Sequence, residues 1–346
     1  MQNMQILMPS NNSKISIFCA ALMSSFFGFS QINDLGLTNA VQDMLYISGE
    51  FVSSAAVASV YQSSSSWYSS AETIGKFKLD VSVNFNVLPI PKKQKSFVIT
   101  NDELLTMEIR GATSAEIPTA LGGDTDTFFD FYIDDEAYEW QAFEGIKQNI
   151  VTHPYLQASI GLWKETDLTL RYSPKVTINT SSYDIFGAAI KHSITQYFRK
   201  DLNSSQPIEL AVLASYSVFN LDLFFDEVSI EPVDPETGSE PLTTINAIVI
   251  DADSWLFQLI ASKKVKNFEF TGSLGYSENK FNYTLGGKEG VFLDVFNDLL
   301  SLLDERKTEF KGDLGANYYF NKFYISSMLT LGKFPNVNIS LHYLFL

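Results

Sequence analysis

Strict alternation of apolar and polar residues is the dominant pattern in this chain. From Lys76 to Leu88, Phe77, Leu79, Val81, Val83, Phe85 and Val87 are apolar, while Lys78, Asp80, Ser82, Asn84 and Asn86 between them are polar. A period of two puts successive side chains on opposite faces of a strand, so this segment predicts a strand with one apolar and one polar face. The pattern returns with Phe268, Phe270, Leu274 and Tyr276 against Glu269, Thr271, Ser273 and Ser277. It returns again with Phe310, Leu314, Ala316, Tyr318 and Phe320 against Lys311, Asp313 and Asn317. In the last strand Val337, Ile339, Leu341, Tyr343 and Phe345 alternate with Asn336, Asn338, Ser340 and His342.

Read coarsely, the sequence holds twelve strand candidates: residues 50–61, 75–88, 96–110, 154–163, 166–178, 183–199, 207–224, 249–264, 267–285, 307–320, 322–331 and 336–345. Several have about ten or more residues, enough to cross a bilayer when tilted, whereas strands of soluble proteins average about five or six. The segments 183–199 and 207–224 alternate poorly, and bulges are expected there.

The connections sort by length. Those after the even-numbered candidates are short, around 89–95, 163–166, 200–206, 265–266 and 321, while 111–153, 225–248 and 286–306 are long. Short turns on one side and long loops on the other describe a bacterial outer-membrane barrel, and an even strand count puts both ends of the mature chain on the periplasmic side. The long loops are acidic, with Asp124, Asp126, Asp130, Glu231 and Glu236 among others, and the short turns and their flanks carry Lys92, Lys164, Lys200, Lys264 and Lys266. The expected fold is therefore all-β: a transmembrane antiparallel β-barrel of about 12 strands, within a range of about 10 to 14, with a short N-terminal helix. The polar faces assign Lys78, Asp80, Asn84, Asn86, Glu269, Lys311, Asp313 and Asn317 to the lumen. Barrels of about 8 strands fill with side chains and those of about 16 hold a channel, so about 12 implies a narrow or plugged passage.

The N-terminus adds a compartment. An apolar run from Ile15 to Phe29 follows the single basic Lys14 and ends at Gly28-Phe29-Ser30. That arrangement reads as a secretory signal peptide over residues 1–30, cut near Ser30/Gln31, and the run is too short for a spanning helix. The only cysteine, Cys19, lies inside it, so the mature chain is expected to hold no disulfide. Residues 31–49 form the next unit, with a helix over Asp34–Ser48 that carries Leu37, Val41, Met44 and Leu45 on one side and stops at Gly49. It reads equally as a plug or as a periplasmic cap. The barrel then spans 50–346. In the last long loop, Val291, Phe292, Val295, Phe296, Leu299, Leu302 and Leu303 recur at helical spacing, which predicts an amphipathic helix over 290–304. Its apolar residues Phe292, Val295, Phe296 and Leu299 serve either as a lid at the outer mouth or as packing over the rim.

Composition removes other classes. The net charge is −16, against the basic surface that nucleic acid requires. Aromatics make up 14% of the chain, and those near strand ends fit girdles at the two membrane interfaces. Asp124-Thr125-Asp126-Thr127-Phe128 starts like a calcium loop but lacks the third acidic ligand and the glycine. The histidines, His153, His192 and His342, are scattered, and no nucleotide loop or zinc spacing is present, so no enzyme, metal or cofactor is expected.

The final strand, with Tyr343 and Phe345, resembles the recognition signal read by the barrel-insertion machinery, although Leu346 follows the aromatic. Two segments resemble an uncharacterised outer-membrane β-barrel family, distantly similar to the FadL/TodX-type transporters of hydrophobic compounds. They are Trp67-Tyr68-Ser69-Ser70-Ala71 leading into Gly75-Lys76-Phe77, and Arg171-Tyr172-Ser173-Pro174-Lys175 followed by Phe186-Gly187-Ala188-Ala189-Ile190-Lys191-His192. The resemblance implies a barrel whose N-terminal segment folds into the lumen as a hatch, and a small hydrophobic ligand. The expected function is passive passage or uptake of small molecules across the outer membrane, with membrane lipid and the insertion machinery as partners. The alternatives are a structural or adhesive surface barrel with a closed lumen and a soluble exported β-protein.

Overall fold

The computed structural model describes residues 35–133, 136–178, 181–198, 208–233, 241–288, 291–302 and 305–345. The expected signal peptide lies outside them. The chain opens with helix α1 (Leu35–Ser64) and strand β1 (Leu79–Pro89). An insertion then holds β2 (Ser96–Thr100), β3 (Glu108–Ile109), β4 (Ser114–Pro118), β5 (Phe128–Ile133) and β6 (Glu136–Gln141). After it come β7 (Ile150–Gly161), β8 (Thr166–Ile178), β9 (Ser181–Ser193), β10 (Glu209–Pro232), β11 (Thr243–Val265) and β12 (Phe268–Gly287). Helix α2 (Val291–Leu302), β13 (Glu305–Phe320), β14 (Phe323–Leu331) and β15 (Asn336–Phe345) complete it.

Ten strands close an antiparallel barrel: β1 pairs with β7, β8 to β15 follow in order, and β15 pairs back onto β1. Closure leaves the wall no free edge. The register Leu79↔Phe345 brings the start and the end of the barrel together at one end, here end A. The turns at 162–165, 266–267 and 321–322 lie at end A too, while the insertion and α2 lie at the opposite end B.

Two of the twelve candidates are not wall strands. Residues 50–61 belong to α1, which runs through Gly49 without stopping, so the expected 49/50 boundary falls inside a helix. A Cβ at Gly49 would meet nothing within 4 Å, and nothing local forces a break there. Residues 96–110 are split by a 3₁₀ turn over Asn101–Glu103, where Thr100 and Glu103 form a capping box. The chain there folds into the insertion, so the connection at 89–95 leaves the barrel at end B instead of turning at end A. Losing two strands keeps the count even, which is why the two ends still meet.

The expected bulges are displaced. β9 and β10 pair without interruption from Ala211↔Ser193 to Asp222↔Ser182. The register shifts fall instead at Ser173/Val176 between β8 and β9, and at Phe224/Val228 between β10 and β11. The expected long loop over 225–248 is mostly strand. β10 and β11 run 24 and 23 residues and stay paired to Ile230↔Thr243, whereas β14 has 9 residues. One wall therefore rises far above the other. Above the last β9 pair, β6 takes β9's place beside β10 at Ile230↔Trp140, and β5 and β3 extend the sheet.

The wall reverses its polarity partway up. On β12, Glu269, Thr271, Ser273, Ser277 and Asn279 are buried and Phe268, Phe270 and Leu274 are exposed. Two residues further the order inverts: Phe281, Tyr283 and Leu285 are buried, while Glu278, Lys280 and Asn282 face out. β11 changes at the same level, with Trp255, Phe257 and Leu259 exposed below it and Asp251 above. Near end A the barrel is thus apolar outside and largely polar inside. Near end B the tall wall, the insertion, α2 and the first half of α1 enclose an apolar core that includes Met44, Phe51, Phe143, Phe219, Tyr283 and Phe296.

Candidate functional site: a helix in the lumen

α1 passes from the end-B core down into the barrel. Ala55, Ala56, Val57 and Ala58 are consecutive and all buried, and four consecutive residues cover the full circumference of a helix. A helix enclosed on every side shows no amphipathic period. Its lower part, Ser53–Ser64, is mostly serine, alanine and valine, so it is thin, as the interior of a ten-stranded barrel requires. Two glycines on the wall and its loops make room for it and for the segment that follows it. A Cβ on Gly187 would lie 2.6 Å from the Tyr216 carbonyl and 3.0 Å from the Trp67 ring, and one on Gly332 would lie 2.4 Å from the Tyr61 ring.

The helix ends inside the lumen, where its last carbonyls have no helical partners and carry the negative end of the macrodipole. The wall supplies cations for them. Arg171 donates to the carbonyls of Ser63 (2.9 Å) and Ser65 (2.7 Å), and Lys311 donates to that of Ser64 (2.6 Å). The Arg171 guanidinium lies 3.9 Å from the Trp67 ring centre and 4.2 Å from that of Tyr155, and its Nε donates to Gln157 (3.1 Å). Asn336 donates to the Tyr61 carbonyl (3.0 Å).

Residues 65–74 continue toward end A through a second set of contacts. Trp67, Tyr68 and Ala71 pack on Ala189, Leu213, Leu256 and Met328. Lys191 donates to the carbonyls of Ser70 and Glu72, both at 2.7 Å, and lies 3.1 Å from Asp167. Asn317 donates to the Ser69 carbonyl (2.8 Å), and Ser69 shares a hydrogen bond with Tyr324 (2.9 Å). At the other end, the Asp43 carboxylate accepts from the backbone N–H groups of Leu105 (2.7 Å), Thr106 (2.8 Å) and Met107 (2.9 Å), which ties α1 to the insertion. Burial, then the nearby Glu103 and Glu50 carboxylates, push the Tyr46 phenol up to about 12, so it stays a neutral donor to Glu103.

Of the residues assigned to the lumen, Asp80, Asn84, Asn86, Glu269, Lys311, Asp313 and Asn317 are buried. Asp80 accepts from Tyr324 (2.5 Å) and lies 3.1 Å from His342. Glu269 accepts from Ser70, Asn317 and Tyr319. Asp313 lies 3.2 Å from Lys311 and accepts from Thr330, Ser273 and Gln258. Asn84 donates to Ser82 (2.8 Å), and the Asn86 amide has no side-chain partner among the described residues. Lys78 is the exception: it precedes β1 and is exposed at end A, one residue beyond the point where the wall begins. Arg171 and Lys191, the residues that hold the helix end and its continuation, were not among those assigned. Arg171 lies between Leu170 and Tyr172, which are exposed, so the same period would have found it, whereas Lys191 lies in the poorly alternating segment 183–199 and left no such signal.

In α2, Leu293, Phe296 and Leu300 are buried over β12, and Asn297 bonds both backbone groups of Leu285. The side chains of Phe292, Val295 and Leu299 lie outside the described residues. Tyr343 and Phe345 meet edge to face (4.5 Å) outside the β1–β15 seam at end A, beside Phe323. Asp124 pairs with Lys147 (2.6 Å), and no group of three metal-ligating side chains occurs among the described residues. A cavity of ≈ 50 Å³ remains between Ala55, Ala58 and Gln62 of α1 and Tyr183, Phe219 and Leu221 of the wall.

These features define a closed ten-stranded antiparallel barrel with a helix held in its lumen. Residues 10–345 match a family of unknown function, DUF6588, and the chain belongs to that family. No curated protein matches it. Among solved structures it is similar to the transport unit of the autotransporter AIDA-I from Escherichia coli, at 8% identity and TM-score 0.29, covering 84% of this chain and 97% of that one. It is also similar to OmpF of Salmonella typhi in complex with daunomycin, at 10% identity and TM-score 0.21, covering 78% and 97%. A third is OprB of Pseudomonas putida, at 8% identity and TM-score 0.18, covering 80% and 94%. Likeness at this level carries no functional information.

Proposed function

We propose that the protein is an outer-membrane β-barrel through which small molecules, hydrophobic ones included, are taken up, with α1 and residues 65–74 restricting the passage. The observation that carries the membrane reading is the polarity of the wall below its inversion. Exposed apolar side chains on β12 run from Phe268 to Leu274, with Tyr276 half-exposed at the upper limit. That stretch is nine residues long, and a tilted strand crosses a bilayer in about 9–11. Aromatic pairs mark both limits: Tyr216 with Trp255 (4.9 Å) and Tyr276 with Phe310 (5.4 Å) above, Phe268 with Tyr318 (4.9 Å) and Phe323 with Tyr343 (4.8 Å) below. Rings of this kind are stable where one side is apolar and the other wet. End B, with the insertion and α2, then faces outward, and the strand ending in Phe345 is the one offered to the insertion machinery.

The filled lumen favours a second reading, a structural surface barrel with no passage. The test is solute uptake by liposomes carrying the refolded protein, run beside its mobility on unheated and heated gels. A heat-dependent shift with solute entry supports uptake. A shift without entry puts the closed structural barrel ahead. Absence of the shift in folded material removes the membrane reading.

A further inference from the structure

Resting on that membrane placement, we infer that end A carries a binding site for the phosphate of an anionic phospholipid. A cleft of ≈ 430 Å³ opens there between residues 73–76 and the β7–β8 turn, lined by Thr73, Lys76, Leu162, Trp163, Lys164 and Glu165 among others. Its two cations, Lys76 and Lys164, are exposed and have no carboxylate ion-pair partner among the described residues. Beside them Phe77 and Trp163 are 58% and 59% exposed and meet edge to face at 5.2 Å, an apolar surface that water alone would not favour. The Lys76 ammonium lies 5.1 Å from the Phe77 ring centre and 6.0 Å from that of Trp163. Lysine beside an interfacial aromatic matches the chemistry of a phospholipid, with its phosphate on the ammoniums and its acyl chain on the rings.

The cleft is held in shape at some cost. Phe77 (φ 60°), Lys164 (φ 55°) and Glu165 (φ 48°) are non-glycine residues in the left-handed region, gathered at one site. Two hydrogen bonds lock its walls, from the Phe77 N–H to the Gly161 carbonyl (2.8 Å) and from the Leu162 N–H to the Thr166 carbonyl (2.6 Å). Lys263, Lys266 and Lys322 are exposed elsewhere on the same rim. They attract the anionic surface in general, whereas Lys76 and Lys164 together line this cleft.

The test uses the refolded Trp255→Phe protein, in which Trp163 is the exposed tryptophan because Trp67 and Trp140 are buried. It is inserted into phosphatidylcholine vesicles containing a minor fraction of brominated lipid, either phosphatidylglycerol or phosphatidylcholine. Brominated phosphatidylglycerol is expected to quench Trp163 the more strongly, and Lys76→Gln with Lys164→Gln is expected to remove the preference, on the order of fivefold in partition per lysine. Lys322→Gln is expected to leave it. Equal quenching by the two lipids overturns the site, and so does an equal loss in Lys322→Gln. Loss of the preference on adding excess inorganic phosphate assigns the cleft to free anions and overturns the lipid. If neither Trp163 nor, in the Trp163→Phe protein, Trp255 is quenched by any lipid, the membrane placement falls and the site with it.

Discussion

Arg171 shows how one wall residue closes the lumen. It is buried, it caps two carbonyls at the end of α1, and it is sandwiched between Trp67 and Tyr155. Replacing it with methionine keeps most of the volume but leaves the Ser65 carbonyl unpaired, and the Ser63 carbonyl with only the Trp67 Nε1–H (2.9 Å), in a place water reaches poorly. Hydrogen bonds to a charged group contribute roughly 1.5–3 kcal/mol, so Arg171→Met is expected to destabilise the folded barrel by about 3 kcal/mol, read from urea unfolding in detergent. The same variant is expected to raise solute entry in the liposome assay, because the segment at 63–66 loses its main tether. Gly187 acts by absence. A methyl group there would press on Trp67 and the Tyr216 carbonyl, and Gly187→Ala is expected to cost about 1–3 kcal/mol in the same measurement. The alternation of β8 made Arg171 legible as an inward residue. Its partner, a helix terminus more than a hundred positions away, was not legible, because nothing local ties residue 171 to residue 63.

At the scale of elements, the wall strands and α1 obey different rules. Each wall strand has two environments, so its side chains alternate and the sequence reveals it. Leu314 lies on the exposed face of β13, opposite Gly272 and midway between Phe310 and Tyr318. On a soluble surface Leu314→Arg would change stability by less than about 0.5 kcal/mol, but facing lipid near mid-membrane it is expected to cost roughly 2–4 kcal/mol. Unfolding of the refolded protein from lipid vesicles distinguishes the two. Residues 54–64 of α1 have a single environment on all sides, so that stretch has no period to read. Its run of Val, Ser and Ala over 52–60 satisfied a strand template by chance. Asp43 holds residues 105–107 of the insertion to α1, and Asp43→Ala is expected to expose residues 104–107 to limited proteolysis while the heat-dependent gel shift persists.

For the molecule as a whole, the path of the chain is the unexpected feature. β1 begins and β15 ends at end A, yet α1 begins in the core at end B, so residues 35–78 traverse the barrel from one end to the other. The segment in the lumen is tied at both ends, by Asp43 above and by Arg171, Lys311 and Lys191 below. With Cys19 replaced by serine, a cysteine at the exposed position Glu50 is expected to react with an impermeant maleimide on intact cells. A cysteine in place of Lys322, at the end-A turn, is expected to react only after the outer membrane is broken. The reverse pattern would turn the barrel over.

The sequence by itself placed the ten wall strands among its twelve candidates and gave the alternation along most of them, because a two-sided strand writes its surroundings into every second residue. The tertiary structure alone decided that residues 50–61 are helix, that residues 96–110 leave the wall, and that one side of the barrel rises into a separate apolar core. Those choices depend on which distant surfaces enclose a segment, and a uniformly buried helix or a short inserted strand leaves no periodic trace of its neighbours.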